Sequence, residues 1–109
     1  DAAARKISDK MLVKVFNNRG SCLAVTKITE NIMEGVVNLP TGAWLDSSKC
    51  DSISCIHGNP NVLTRDTGTS KLAQGPSAHT CLVEIEPFKG EAPKITAFDP
   101  PKLIKNKLR

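Results

Sequence analysis

Aromatic residues are scarce in this sequence of 109 residues, which contains Phe16, Trp44, Phe88 and Phe98 but no tyrosine. Proteins that bind single-stranded nucleic acids stack bases on aromatic side chains, so the scarcity weighs against a nucleic-acid partner. The sequence also lacks an apolar run of about 18 residues, the length that a membrane span needs. Its first residues do not show the charged and then apolar pattern of a signal peptide. Membrane insertion is therefore not expected.

Acidic residues are missing from the end of the sequence, and the net charge of +4 arises there. Residues 1–99 contain 11 basic and 11 acidic residues, whereas residues 100–109 contain four basic residues and no acidic one. A nucleic-acid-binding protein would be expected to carry a basic surface on its folded domain, whereas residues 1–99 have no net charge. The length suits a single domain. We therefore expect one domain over residues 1–99, followed by a basic tail over residues 100–109.

The four cysteines are too few to indicate a scaffold held together mainly by disulfides. Cys22 and Cys81 lie in apolar stretches, where a free cysteine behaves as a small core residue. Cys50, Cys55 and His57 could form a zinc ligand set, but their spacing differs from the paired C-x-x-C pattern of structural sites. A disulfide between Cys50 and Cys55 is the alternative, and the sequence leaves it open.

The first half of the chain shows short strand signals and little helical periodicity. Residues 1–5 predict one helical turn capped by Asp1, because aspartate accepts the first free amides and alanine favours helix. Residues 12–16 and 22–29 are rich in β-branched and apolar residues, and the Asn- and Gly-containing residues between them predict a hairpin. Residues 36–39 predict a further strand.

The clearest alternation lies at residues 81–86, where Cys81, Val83 and Ile85 point one way and the residues between them point the other. This pattern is typical of a strand with one solvent-exposed face. Several short strands joined by turns, without a long helical period, indicate an all-β barrel or sandwich.

Residues 57–80 form a long stretch that is rich in Gly, Pro, Asn, Ser and Thr and has no sustained period. Such a connection within a compact domain is usually functional or disordered. The apolar pairs at residues 62–63 and 72–73 predict that the stretch is anchored on the core. Glycines let backbone amides approach a ligand, and side-chain amides and imidazoles can read a flat heterocycle. The glycines are Gly58, Gly68 and Gly75, and the polar residues are Asn59, Asn61, Gln74 and His79.

Simpler interpretations of this stretch remain open. Residues 59–61 could form a structural turn, and His79 could bond only to backbone. Residues 68–71 lack the P-loop pattern. Residues 75–79 depart from the G-x-S-x-G pattern of serine hydrolases at their last position, and no strand–turn–helix pattern surrounds them.

Several blocks of the sequence resemble the C-terminal molybdopterin-dinucleotide-binding domain of the dimethyl sulfoxide reductase family, in the branch of the trimethylamine N-oxide and biotin sulfoxide reductases. The block His-Gly-Asn-Pro-Asn-Val-Leu-Thr at residues 57–64 carries most of the likeness. Further blocks follow in the family's order and make the match specific. They lie at residues 1–5 with Ile7, 13–17 with 19–20, 35–37, 42–44, 66, 68–70, 72–75, 77, 82–86 and 96–101.

The resemblance implies a six-stranded double-psi β-barrel that lacks an N-terminal segment of the parent domain. It also implies a parent enzyme that carries molybdenum bound by two molybdopterin guanine dinucleotides. Asn61 is expected to contact a pterin, and His79 stands at a second contact position that is often Gln in relatives. Adjacency adds further candidates for the same pocket. These are His57, Gly58, Asn59, Thr64 and Gln74, while Trp44 either borders the pocket or belongs to the core.

The parent enzyme is then expected to reduce an S-oxide or an N-oxide by oxygen-atom transfer. This chain would help to hold the cofactor of that enzyme. The chain begins at Asp1 and has no counterpart of the serine that ligates the metal, so we expect it to be an inactive fragment with no catalytic residue. The resemblance further implies contact with the parent's other domains, a cytochrome electron donor and a location in the bacterial periplasm, with the cytoplasm as the alternative. A free-standing binding or structural β-barrel module remains the rival interpretation.

Overall fold

The structure is a computed structural model that describes residues 1–48, 51–77, 81–96, 99–100 and 103. These residues form five strands and two short 3-10 turns. The strands are β1 (Leu12–Phe16), β2 (Ser21–Val25), β3 (Ser47–Ser48), β4 (Asp51–Cys55) and β5 (Glu84–Pro87), and the turns are Ala3–Arg5 and Pro60–Val62.

The five strands make one sheet in the order β3-β4-β2-β1-β5. The central strand β2 pairs antiparallel with β1 and parallel with β4, so the chain crosses over between residues 25 and 51. At the edges, β5 pairs antiparallel with β1 and β3 pairs antiparallel with β4. The all-β class predicted from the sequence is confirmed. The sixth strand and closure into a double-psi barrel stay predictions, as does the domain boundary at residue 99.

The β1–β2 hairpin forms where the turn residues predict it. The side-chain oxygen of Asn17 accepts from the backbone amides of Arg19 at 2.9 Å and Gly20 at 3.3 Å. The backbone amide of Asn17 donates to the Gly20 carbonyl at 3.0 Å. Asparagine side chains commonly mimic backbone in this way. The alternation predicted for residues 81–86 is present, because Leu82 and Glu84 are exposed and Val83 and Ile85 are half-buried, but the strand itself begins only at Glu84.

Two local expectations are wrong. Residues Ala3–Arg5 form a 3-10 turn, but its N-cap is Ala2, without a side-chain cap. The carboxylate of Asp1 instead accepts from the Gly35 amide at 2.7 Å. The predicted strand at residues 36–39 has no strand structure, because a strand needs a neighbour for its backbone groups and no strand in the described part of the chain lies beside it.

The core is small and centred on the two middle strands. The buried apolar residues among those described are Ile7, Val13, Val15, Cys22, Cys55 and Leu63. Cys22 on β2 lies opposite Cys55 on β4, and both thiols are free. Desolvation, with a smaller contribution from Cys55, raises the pKa of the Cys22 thiol from 9.0 to about 11. The prediction that Cys22 is a core residue is confirmed, and Cys81 packs half-buried against the same cluster.

The shifted Cys22 pKa predicts a dependence of stability on pH. The folded thiol keeps its proton to about pH 11, whereas the unfolded thiol loses it from about pH 9. Proton release therefore favours the unfolded chain, and stability falls between these two values. Urea unfolding should show a steeper decline for the unaltered protein over this window than for Cys22→Val. Parallel curves for the two proteins would contradict the assignment.

Candidate functional site

The turn at Pro60–Val62 is held by several local hydrogen bonds. Asn59 caps it, because its side-chain oxygen accepts from the Asn61 amide at 2.9 Å. Proline stands at the first helical position, where its missing N–H costs nothing. Asn59 is 7% exposed, so its side chain serves the turn. The interpretation of residues 59–61 as a structural turn is therefore correct for Asn59.

Leu63 fastens this turn to the body of the protein. Its side chain is 3% exposed and belongs to the core, which confirms the first of the two predicted anchors. Its carbonyl oxygen accepts from Asn17 Nδ2 at 2.9 Å, Arg19 Nε at 2.7 Å and Cys81 Sγ at 2.8 Å. The hairpin turn and the approach to β5 thus meet at one backbone atom.

Asn61 presents its side chain to solvent from this rigid support. Its backbone amide bonds to Asn59 and its carbonyl accepts from Thr64 Oγ1 at 3.3 Å. Within the part of the chain that the structure describes, the Asn61 side-chain amide has no hydrogen-bond partner, and the residue is exposed. A planar amide offers donors and an acceptor in one plane. It is therefore free to bind the edge of a flat heterocycle.

His57 belongs to a three-residue polar network. Its Nε2 lies 2.9 Å from Thr96 Oγ1 and 3.1 Å from Asp46 Oδ2. Thr96 Oγ1 donates to the same Asp46 oxygen at 2.6 Å. Because the Thr96 hydroxyl proton is directed at Asp46, the proton between His57 and Thr96 must be on Nε2. In the neutral side chain Nδ1 is then an acceptor, and the network fixes the start of the loop at His57.

Gln74 and the second predicted anchor do not join this site. Leu72 is 97% exposed, so the prediction that residues 72–73 dock on the core is wrong. The reason is that this part of the loop closes on itself, with the Thr69 amide donating to the Gly75 carbonyl at 2.8 Å. Gln74, at φ +50°, donates from Nε2 to the Lys71 carbonyl at 3.4 Å. A Cβ at Gly68 would lie 3.0 Å from the Gln74 Cα, so a larger residue there would require a small shift of the backbone.

The structure locates only some of the remaining candidate residues. A Cβ at Gly58 would make ordinary contact with the Leu23 carbonyl at 3.6 Å, so the chain itself does not require glycine there. His79 and Cys50 lie outside the described residues. Trp44 is 89% exposed and is not a core residue. Among the residues described, no three His, Cys, Asp or Glu side chains are grouped to hold a metal ion.

Two concavities flank the turn. A cleft of about 200 Å³ is lined by Pro60, Leu63 and Thr64 together with residues 37–39. A groove of about 780 Å³ contains the hairpin turn, Arg19 and Arg65. Arg65 directly follows Thr64 and is exposed, with no ion pair in the described part of the chain.

Sequence reasoning missed the residues that hold the site together. Asn17 and Arg19 were identified only as turn residues, although they lie in one of the blocks that carry the resemblance. Asp46 and Thr96 have no local signal, because they meet His57 only in the folded chain. Arg65 stands between two polar residues in the irregular stretch, where a single charge is uninformative.

The turn lies in a part of the chain that matches a known protein family. Residues 1–82 match the molydopterin dinucleotide binding domain, a range that contains the whole 57–64 turn. The chain belongs to this family. Its relationship to the dimethyl sulfoxide reductase family, implied by the blocks at residues 57–64 and elsewhere, is confirmed.

Curated relatives include trimethylamine-N-oxide reductases and a biotin sulfoxide reductase. The chain is 50% identical over 107 residues to the trimethylamine-N-oxide reductase of Haemophilus influenzae, covering 95% of the chain and 13% of that protein. It is 48% identical over 103 residues to the Salmonella typhi enzyme of the same name, covering 93% and 12%. Identity to the biotin sulfoxide reductase of Cereibacter sphaeroides is 48% over 92 residues, covering 84% and 12%. The chain thus spans about an eighth of the length of these relatives.

The anchoring role of Leu63 yields a test with a matched control. Leu63→Ala should lower the free energy of unfolding by about 2–5 kcal/mol, because it removes a buried side chain from a small core. Leu72→Ala makes the same chemical change at an exposed position and should alter stability by less than about 0.5 kcal/mol. Urea unfolding of the two variants measures the difference. Equal effects would show that Leu63 does not anchor the turn.

Proposed function

We propose that this chain is the pterin-cofactor-binding domain of a molybdenum oxidoreductase that reduces an N-oxide or an S-oxide. The family match and the names of the relatives support this proposal. The site itself is assigned from the Asn61 side chain. Its planar amide is free and faces outward, while the backbone of the turn that bears it is already hydrogen-bonded.

The residues around the turn fit a pterin. A pterin edge carries alternating hydrogen-bond donors and acceptors, which the amide of Asn61 can match. His57 adds an acceptor at Nδ1, and Thr64 Oγ1 keeps lone pairs for a further bond. All these groups are uncharged in the neutral histidine form. Gly58, through its backbone, and His79 complete the proposed contact set. Asn59 supports the set by capping the turn, and Gln74 is left out of it.

When bound, the molybdenum ion held by two molybdopterin guanine dinucleotides supplies the oxygen-atom transfer. The part of this chain is to bind and orient the pterin. Leu63 and its three hydrogen-bond donors prevent the turn from shifting, and the Asp46–His57–Thr96 network fixes the loop's first residue. Arg65 places positive charge at the groove beside the turn, where it would favour the anionic part of the cofactor.

The wider features of the enzyme belong to the same proposal. They are a closed six-stranded double-psi barrel, contacts with further domains, a cytochrome as electron donor and residence in the bacterial periplasm. The family resemblance supports all four. The described residues contain no helix long and apolar enough to cross a bilayer.

Cofactor content of the full-length enzyme tests the site. Asn61→Ala and His79→Ala should each weaken cofactor binding by about 1–3 kcal/mol, the value of one or two buried hydrogen bonds. That corresponds to roughly a fivefold to 150-fold loss of affinity. Molybdenum per polypeptide and turnover with an N-oxide substrate should both fall.

Asn31→Ala is the control, because it removes an exposed asparagine side chain outside the site. It should leave molybdenum loading unchanged. Full loading and full turnover in both site variants would refute the assignment, whereas an equal loss in the control would indicate a general effect on folding.

A further inference from the structure

The Asp46–His57–Thr96 network is assembled largely by the backbone. Asp46 directly precedes β3 and His57 lies two residues beyond β4, so the antiparallel pairing of these strands brings the two residues side by side. The Ile56 amide donates to the Asp46 carbonyl at 2.9 Å and extends this pairing to the residue before His57. Asp46 is therefore held next to His57 by contacts that do not involve either side chain.

Thr96 reaches the same place from the segment that follows β5. Its carbonyl accepts from the Asp99 amide at 3.0 Å, and Lys94 Nζ lies 3.2 Å from Asp99 Oδ2. These two contacts form a turn at Thr96, whose hydroxyl meets His57, 39 residues away along the chain. The edge of a sheet and a separate turn thus place two oxygen atoms against a single ring nitrogen.

These two oxygen atoms leave the imidazole ring a single arrangement. Asp46 Oδ2 can only accept, and it already receives the Thr96 proton at 2.6 Å. Nε2 of His57 faces that oxygen at 3.1 Å and Thr96 Oγ1 at 2.9 Å, so Nε2 must supply the remaining proton. A ring turned over would present a carbon atom at this point and lose both contacts. The network therefore fixes the orientation of the ring as well as its tautomer.

The other ring nitrogen of His57, Nδ1, is the atom left for a ligand. It has no hydrogen-bond partner in the described part of the chain. Among the residues that the structure describes, no side-chain nitrogen or oxygen is both buried and unpartnered, so Nδ1 is accessible. The whole side chain is only 21% exposed. Most of the ring is therefore covered, while one polar atom of known hydrogen-bonding character can be reached.

We propose that Asp46 and Thr96 are positioning residues that act through His57 and determine which edge of the pterin it binds. This inference rests on the proposed function. A carboxylate that accepts from one ring nitrogen makes the opposite nitrogen a stronger hydrogen-bond acceptor. Nδ1 then selects an N–H group of the pterin and disfavours a carbonyl oxygen, because two acceptors would face each other. Asn61, whose amide offers both a donor and an acceptor, makes no such choice.

Release of the cofactor from the full-length enzyme tests the binding role of His57. In His57→Gln the side-chain amide can still donate toward Asp46 and Thr96, but no acceptor remains at the position of Nδ1. Molybdenum should therefore leave the polypeptide roughly fivefold faster in mild urea, since a lost contact acts mainly on dissociation. The urea midpoint of the cofactor-free full-length enzyme should stay unchanged. A residue that only supports the loop would not lose cofactor at an unchanged midpoint.

A double-mutant cycle tests the two positioning residues. Asp46→Leu and Thr96→Val each remove an oxygen from the network with little change in shape, and each should speed molybdenum release by roughly threefold or more. In the His57→Gln background neither should change the release rate further, because both act through the ring that is missing. Thr96→Ser retains the hydroxyl and is the matched control, and its release rate should stay within about twofold of that of the unaltered enzyme.

Additive effects in this cycle overturn the inference, because Asp46 and Thr96 would then act on the loop and not through His57. An unchanged release rate in His57→Gln also overturns it. Asn61→Ala, measured alongside, separates this inference from the proposed function. If Asn61→Ala alone speeds release, the proposed pterin site stands and the role of His57 fails. If Asn61→Ala and His57→Gln both leave release unchanged, the proposed function is wrong as well.

Discussion

The carbonyl oxygen of Leu63 is the atom on which the geometry of the site depends. Three donors from two distant parts of the chain converge on it, while the side chain of the same residue enters the core. The hairpin turn, the approach to β5 and the end of the 3-10 turn are therefore held in one arrangement. This junction fixes the turn within a loop that has little regular structure.

Some polar side chains of the loop form hydrogen bonds within the protein, and others face solvent. Asn59 and Gln74 bond within their own loop, and His57 bonds to neighbouring segments through Nε2. Asn61 is left to face outward. A site that recognises a heterocycle needs few direct contacts when its scaffold is already bonded, because binding then costs little ordering of side chains.

How much the sequence could predict depends on whether the deciding contacts are local. The β1–β2 hairpin and the alternation at residues 81–86 were predictable, since turn chemistry and period-2 patterning act between near neighbours. Leu63 and Leu72 look alike in sequence, yet one is buried and the other exposed, because anchoring depends on distant partners. Residues 36–39 were wrongly predicted to form a strand for the same reason. A turn at residues 59–61 was one open interpretation of the residues, and its connection with a pterin came from the resemblance to a family.

In the Asp46–His57–Thr96 network the hydrogen bonds are all donated toward the carboxylate of Asp46. This arrangement has an evolutionary consequence. Thr96 is 39 residues from His57 and 50 residues from Asp46 along the chain, and a change at any one position removes a hydrogen-bond partner of the other two. Positions 46, 57 and 96 should therefore covary among related proteins, each lineage keeping or replacing the three together.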